Sequence, residues 1–344
     1  MSEQTDALVG LAADIFRGRT ANEQLAKVEA SENRTDEDLW RELAEAGLVG
    51  IAVPEEHGGA GLGLTEVCLL LEQQGRFLAP VPLWETTVAA LAVAQGTPQQ
   101  QARWLPAVAA GTAKLSLAAA LSGPQPVAWD GTALRGTALV SGASQALVVV
   151  TDAGVLLAET PAGEPVVTTN HTLAFDVDLT GVPAEPLTVE AEWVLDVARL
   201  GLAAQQLGVA EAGVREAAQH LSGREQFGRP LATFQATSQQ LGDAYCDVQA
   251  MRATLGQAVW ALGNGPARTA VDVATWWATD AAERIQHTVQ HLHGGLGADT
   301  TYPVHRRLLW TMRANALLGG PSRQLARLGA ALVGPTGCVA NTSV

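Results

Sequence analysis

Apolar residues recur along this chain with two different periods, and the change from one to the other divides it into three. Behind Thr35-Asp36-Glu37-Asp38, a capping sequence with an acid three residues on, Leu39, Trp40, Leu43 and Ala44 fall at helical spacing, and Gly47 is placed to end that helix. The spacing resumes from Thr65 (Val67, Leu70, Leu71) to about Gly75-Arg76, from about Trp84 to Gln95, and from Gln100 to Ala110. Short apolar or β-branched runs follow, at 115–120, 132–140, 146–150, 155–159 and 166–169, punctuated by Asp130-Gly131 and Ala153-Gly154. Phe175 to Leu179 alternates as a half-buried strand does, and the stretch has room for about six to eight strands. From about Glu190 the helical period returns. Val194, Leu195, Leu200, Leu202, Leu207 and Val214 mark one long helix, and Leu241, Tyr245, Val248, Met251, Leu255 and Val259 mark a second. Gly263 to Pro266 breaks the pattern, and Pro266 and Thr269 suit the start of a third helix carrying Trp276 and Trp277. The expected fold is α+β, mainly α: a helical domain over 1–113, a β-domain over 114–188 and a helical bundle over 189–344. No internal repeat or low-complexity linker interrupts it.

Composition narrows what such a chain does. Across 344 residues, 47% are hydrophobic and only 16% charged, which fits a compact chain with a large core. A net charge of −14 argues against nucleic acid as the main partner, because phosphate backbones require a basic face. The first twenty residues, with Glu3, Asp6 and Asp14, lack a basic segment leading into an apolar one, and no apolar run approaches the ~20 residues that span a bilayer. No membrane association is expected, and a cytoplasmic location is the default. Cys68, Cys246 and Cys338 are widely spaced and form no Cys-x-x-Cys pair, so neither a disulfide frame nor a zinc site is expected.

Two stretches carry candidate chemistry. The connector Arg224 to Ala236 joins the two long helical patterns. Gly223 and Gly228 can break the first, and Pro230 suits the opening turn of the second. Arg224 would then lie near a helix start, a place suited to a phosphate. The second stretch is His291-Leu292-His293-Gly294-Gly295-Leu296-Gly297, whose glycines allow backbone to approach a ligand closely. His287 and His291 stand four apart but without the acid of a zinc-protease arrangement, so no metal is expected. The glycines between Gly50 and Gly63 read as a turn, since no Lys-Ser/Thr follows them.

The order of residues in these stretches closely resembles the acyl-CoA dehydrogenase family. Arg224-x-x-Phe227-Gly228-x-Pro230, followed by Phe234-Gln235-Ala236, is similar to one family signature. His291 to Gly297 with Thr300-Thr301-Tyr302-Pro303 resembles another, Gln-x-x-Gly-Gly-x-Gly-(x)2-Thr-Glu-Tyr-Pro, with His291 in place of Gln and Thr301 in place of Glu. Leu39 to Leu48, the Pro54-Glu-Glu-His-Gly-Gly59 turn, Gly75-Arg76 and Trp104-Leu105-Pro106 look like the family's N-terminal domain. The resemblance covers nearly the whole chain. It implies the fold just described, with a four-helix bundle at its C-terminal end, and FAD as cofactor. It further implies that Arg224, Glu225, Gln226, Phe227, Phe234, Gln235, His291, Leu292, His293, Gly294 and Gly295 contact the ADP half of an FAD held by a neighbouring subunit.

The departures from the family are as informative. The segment that usually contacts flavin and substrate at the start of the β-domain reads Ala118 to Pro126 here, without its Glu or Gly-Ser-Asp, and the later Trp-containing motif is not recognisable. The family's base is a Glu, at one of two places. Those places hold Leu318, sixteen residues after Tyr302, and Ala198, just before Arg199. Asp196 is near, but two positions along a helix turn it about 200° from that face. No catalytic residue is therefore expected, and the chain resembles the non-catalytic subunit of α2β2 actinobacterial steroid-type enzymes, whose Gly319-Gly-Pro-Ser322-like ending it shares. That resemblance implies a catalytic sister subunit holding an acyl-CoA thioester, possibly one with a sterol-derived side chain. It also implies electron transfer to an electron-transfer flavoprotein or a similar acceptor. The alternatives are a self-sufficient homotetramer with an unrecognised base, or a flavin-free scaffold.

Overall fold

The computed structural model describes residues 3–333. Six helices come first: α1 (Glu3–Arg19), α2 (Asn22–Ala30), α3 (Glu37–Glu45), α4 (Leu64–Phe77), α5 (Leu83–Val93) and α6 (Pro98–Ala109). Asp36 caps α3 by accepting from the Leu39 N–H at 2.9 Å, and Gly47 takes a left-handed φ of 73° just beyond it. Thr97 and Gln100 form a reciprocal capping box at the start of α6.

Eight strands follow, in two four-stranded sheets. One has the order β1 (Leu115–Ala118), β4 (Ala146–Thr151), β5 (Gly154–Glu159), β8 (Glu185–Pro186). The other has the order β2 (Val127–Trp129), β3 (Leu134–Ser141), β7 (Leu173–Asp178), β6 (Glu164–Val167). Only β1 and β4 pair in parallel, with Leu117 opposite Val148. The period of two divides β4 between two cores. Ala146, Val148 and Val150 join the helical core, while Leu147 and Val149 meet Val140, Leu156 and Val177 between the sheets. This is why β4 reads as an unbroken apolar run.

The C-terminal part consists of α7 (Ala191–Gly223), α8 (Gln235–Asn264), α9 (Arg268–Leu292), α10 (His305–Leu318) and α11 (Gly320–Val333). The first four form the bundle, and α11 lies along α9. Helix α7 is buried on nearly every side because α4, α5, α8, α9 and α10 all pack on it. Its crossing with α4 is unusually close. A Cβ on Gly208 would lie 1.9 Å from the Glu72 carbonyl oxygen, and one on Gly75 would lie 1.9 Å from that of Gln205. Arg252 of α8 ties down the same crossing with two 3.0 Å bonds to the buried Glu72 and a 3.1 Å bond to Glu211.

The connector 224–236 differs from its sequence-based reading in one respect. Pro230 does not open a helix. It closes a small hairpin of β9 (Glu225–Gln226) and β10 (Arg229–Pro230), and α8 begins five residues later at Gln235. Phe227 and Gly228 both have positive φ, 54° and 75°, which is the type I′ turn that such a two-residue connection requires. The turn chemistry of Phe-Gly therefore prevails over the preference of proline for a helix start.

Candidate functional site

A surface cavity of about 480 Å³ lies where α7 ends. Arg224 stands at the end of α7, and His220 one helical turn earlier also lines the cavity. From the opposite side come His293, just past α9, and Tyr302, Pro303 and Val304 ahead of α10. Arg224 is exposed and makes no ion pair within the described residues, whereas most of the other arginines face a carboxylate. His293 is only 5% exposed, with Nδ1 2.7 Å from the Val289 carbonyl oxygen. Its ring stacks on that of His220 at 4.6 Å between centroids and lies 5.7 Å from the ring of Tyr302. Burial, and then the neighbouring His293 and Arg224, lower the pKa of His220 from its ordinary value.

A second cavity, of about 60 Å³, lies where the three parts meet. Trp84 and Glu85 of α5, Ser141 and Gly142 at the end of β3, Leu202 of α7 and Arg313 of α10 are among its walls. Trp84 fills the space beside α7: its indole Nε1 donates to the Ala198 carbonyl at 3.0 Å, and a Cβ on Gly201 would lie 2.7 Å from its ring. Arg313 donates to Ser141 Oγ at 2.8 Å. Burial pushes the Glu85 carboxyl up to about 7, against a smaller opposing pull from Arg313. On the far side of α7, Arg199 and Arg323 donate to the carbonyls of Leu121 and Ser122 at 2.9 and 3.1 Å, tying that segment shut against the helices.

The chain matches the acyl-CoA dehydrogenase N-terminal domain over residues 2–112 and the C-terminal domain over residues 189–333. Acyl-CoA dehydrogenase FadE27 of Mycobacterium tuberculosis is 36% identical, over 95% of this chain and 96% of that protein. The protein belongs to the acyl-CoA dehydrogenase family. Among solved structures, a steroid ACAD, Tcur3481–Tcur3483, superposes with a TM-score of 0.89 at 44% identity, covering 95% of this chain and 97% of the other. The ChsE4–ChsE5 complex from Mycobacterium tuberculosis gives 0.88 at 34% identity, covering 96% and 97%. Acyl-CoA dehydrogenases are FAD flavoproteins, so the cofactor read from the motifs is that of the family.

The residues singled out in the acyl-CoA dehydrogenase motifs fall into separate places. Arg224 and His293 meet in the surface cavity. Glu225 and Gln226 lie exposed on the hairpin, and Phe227 at its tip is 91% exposed, with Phe234 edge-on to it at 6.1 Å. Gln235 opens α8 and is exposed, as is His291, which does not line the cavity. The Leu292 side chain is turned into the core, leaving only its backbone to a ligand. Beyond the Cα of Gly294 and Gly295 there is open space where a Cβ would stand. A diphosphate suits an unpaired guanidinium and a free imidazole nitrogen on one cavity wall, while the bare backbone of Gly294 and Gly295 lies outside the residues that line the cavity. A flavin ring does not suit the second cavity, which is several-fold smaller than ordinary ligand pockets. His220, Trp84, Glu85 and Arg313 were not marked by any motif. For His220 a signal existed, its spacing of four from Arg224; the other three converge only through tertiary packing. Asp196 is bound to Arg199 at 2.6 Å, and among the described residues no group of three His, Cys, Asp or Glu could hold a metal ion.

Proposed function

We propose that this chain is the non-catalytic subunit of a heteromeric acyl-CoA dehydrogenase. It contributes the diphosphate half of an FAD site and leaves proton abstraction and ring binding to an unlike sister subunit. The observation that carries the reading is the contrast between the two cavities. The one that would grip a diphosphate is open and carries an unpaired arginine; the other is small and walled by Trp84, whose indole is bonded to the Ala198 carbonyl.

The chemistry explains why the contrast matters. Dehydrogenation of an acyl thioester needs a carboxylate within reach of the α-proton. It also needs a hydride acceptor at Cβ, which bound FAD supplies. Ala198 and Leu318 occupy the two places from which relatives supply the carboxylate, and both are fully buried and apolar. Arg224 would hold the diphosphate by charge-assisted hydrogen bonds, with Gly294 and Gly295 admitting it to the backbone. Two similar solved structures, a steroid ACAD and a two-component complex, support an unlike partner and a bulky, sterol-derived acyl-CoA substrate in that partner's pocket. Exposed aromatic residues along the hairpin and α8, Phe227, Tyr245 and Trp260, support assembly through that face. An electron-transfer flavoprotein is the acceptor we propose.

The test is Arg224→Ala in the assembled complex. Loss of charge-assisted bonds to the diphosphate should weaken flavin retention by on the order of 1.5–3 kcal/mol. Full flavin content after that change would remove Arg224 from the site.

A second reading, a self-sufficient enzyme, gains one observation from Glu85. A carboxyl raised to about 7 beside a cavity is what a general base requires. The space around it counts against this reading, since a cavity of about 60 Å³ has room for a few waters rather than an acyl thioester. Turnover by the isolated chain that Glu85→Gln abolishes would restore it.

A further inference from the structure

His220 is the residue of the surface cavity that no motif marks, and its surroundings give it a task. His293 Nδ1 lies against the Val289 carbonyl, which can only accept, so Nδ1 carries the hydrogen and Nε2 is left as an acceptor. Nε2 has no hydrogen-bond partner among the described residues, in a side chain that lines the cavity. A ring nitrogen left free on a cavity wall is available to a ligand. The stacked ring of His220 has no hydrogen-bond partner among the described residues either. Burial and the neighbouring charges make His220 hard to protonate when the cavity holds no anion. Arg224 adds positive charge from the same helix. Glu216, the carboxylate on that wall, is occupied by Arg307 at 2.5 and 2.8 Å. Tyr302 contributes a ring against His293, and His305 is engaged at the Tyr302 carbonyl at 2.6 Å.

We propose that His220 joins His293 and Arg224 in gripping the diphosphate of a dinucleotide, and that binding takes one proton up onto the His220 imidazole. The inference rests on the reading of this chain as the lender of an FAD half-site. A diphosphate diester carries two fixed negative charges and only acceptor atoms. Beside it the imidazolium form gains an anion and a hydrogen bond, and the repulsion from Arg224 is offset. Protonation of His220 is thus favoured in the bound state over the free state. The sign follows: the added affinity is fully present below the free-state pKa and is lost as pH rises through the raised, bound-state pKa.

The experiment uses the full chain and ADP-ribose, which reproduces the ADP-ribosyl half with a diphosphate that does not titrate near neutrality. Calorimetry in two buffers of different ionisation enthalpy counts the protons. Uptake of up to one proton is expected between the free-state and bound-state pKa values, and over that same range the dissociation constant should rise by up to about tenfold per pH unit. His220→Gln, which keeps a hydrogen-bonding side chain but takes no proton, should weaken binding about tenfold at pH 6, weaken it less at pH 8, and abolish the uptake. Arg224→Ala should weaken binding by similar factors at both. FAD should displace ADP-ribose. Equal displacement by CoA, which carries the same diphosphate, would assign the cavity to the thioester and overturn the inference. Binding that needs Arg224 but shows no proton uptake would overturn it while leaving the half-site reading intact. Binding indifferent to Arg224→Ala would count against both.

Discussion

Glu85 shows how much a single side chain can set. Its carboxyl is enclosed between Trp84, Ser141 and Arg313, and burial raises it from the ordinary glutamate range to about 7. The folded state therefore binds this proton more tightly than the unfolded chain does. Stability that the protonated carboxyl confers is present below the unfolded pKa, near 4.5, and is lost as pH rises toward 7. A shift of this size corresponds to on the order of 3 kcal/mol. Glu85→Gln should therefore raise the unfolding midpoint of the isolated chain at pH 8 and change it little at pH 5. Equal shifts at both pH values in chemical denaturation would show that Glu85 is already ionised in the folded protein. Trp84 is set beside it by the close approach of Gly201, and Trp84→Ala would remove both a 3.0 Å bond to the Ala198 carbonyl and a large buried side chain. A loss of about 3–5 kcal/mol is expected in the same measurement.

Between elements, the decisive contact is the crossing of α4 and α7. Gly208→Ala would place a methyl 1.9 Å from the Glu72 carbonyl oxygen and 2.7 Å from the Arg76 backbone nitrogen, so the two helices must separate. Overpacking of this kind costs about 1–3 kcal/mol, and it strains the Glu72–Arg252 pair that spans the same junction. Gly242→Ala on α8 is the control, since nothing lies within 4 Å of the new methyl; helix propensity alone predicts a gain of up to ~1 kcal/mol. A urea titration of both variants separates close packing from propensity. The elements themselves were largely legible in the sequence, because α3, α4 and α8 carry apolar residues at helical spacing, α7 is apolar over most of its length, Pro266 and Thr269 announce α9, and β7 alternates with a two-residue period. What was not legible had too little pattern to read. Strand β2 has three residues and β8 two, and the β9–β10 hairpin hides behind a proline that also suits a helix start. The site divides in the same way. Arg224 and His293 stand in motifs, and the missing base could be counted off from Tyr302 and Arg199. The cavity wall formed by Trp84, Glu85 and Arg313 draws on α5 and α10, far apart in sequence, and no local pattern announces it.

At the scale of the whole molecule the two cavities make a prediction about assembly. On the proposed reading, a chain with an open diphosphate grip and a small cavity beside Trp84 gives one half of a flavin site, and the other half comes from a sister subunit. On this reading the isolated chain retains little FAD and does not dehydrogenate an acyl-CoA, because catalysis needs the carboxylate and the hydride acceptor placed together, and Ala198 and Leu318 supply neither. The sister subunit alone should also bind flavin poorly, since the diphosphate would lack Arg224. Mixed, the two should recover about one flavin per pair of unlike subunits, and acyl-CoA-dependent dye reduction should appear only then. The assay is three parallel measurements, on this chain, on the sister chain and on the mixture, each read by flavin absorbance and by dye reduction. Two flavins per pair would mean that this chain holds a ring after all and that the cavity beside Trp84 opens on assembly. One flavin per pair with activity that survives Glu85→Gln and falls on Arg224→Ala would place the chemistry in the sister subunit and the grip on the cofactor in this one.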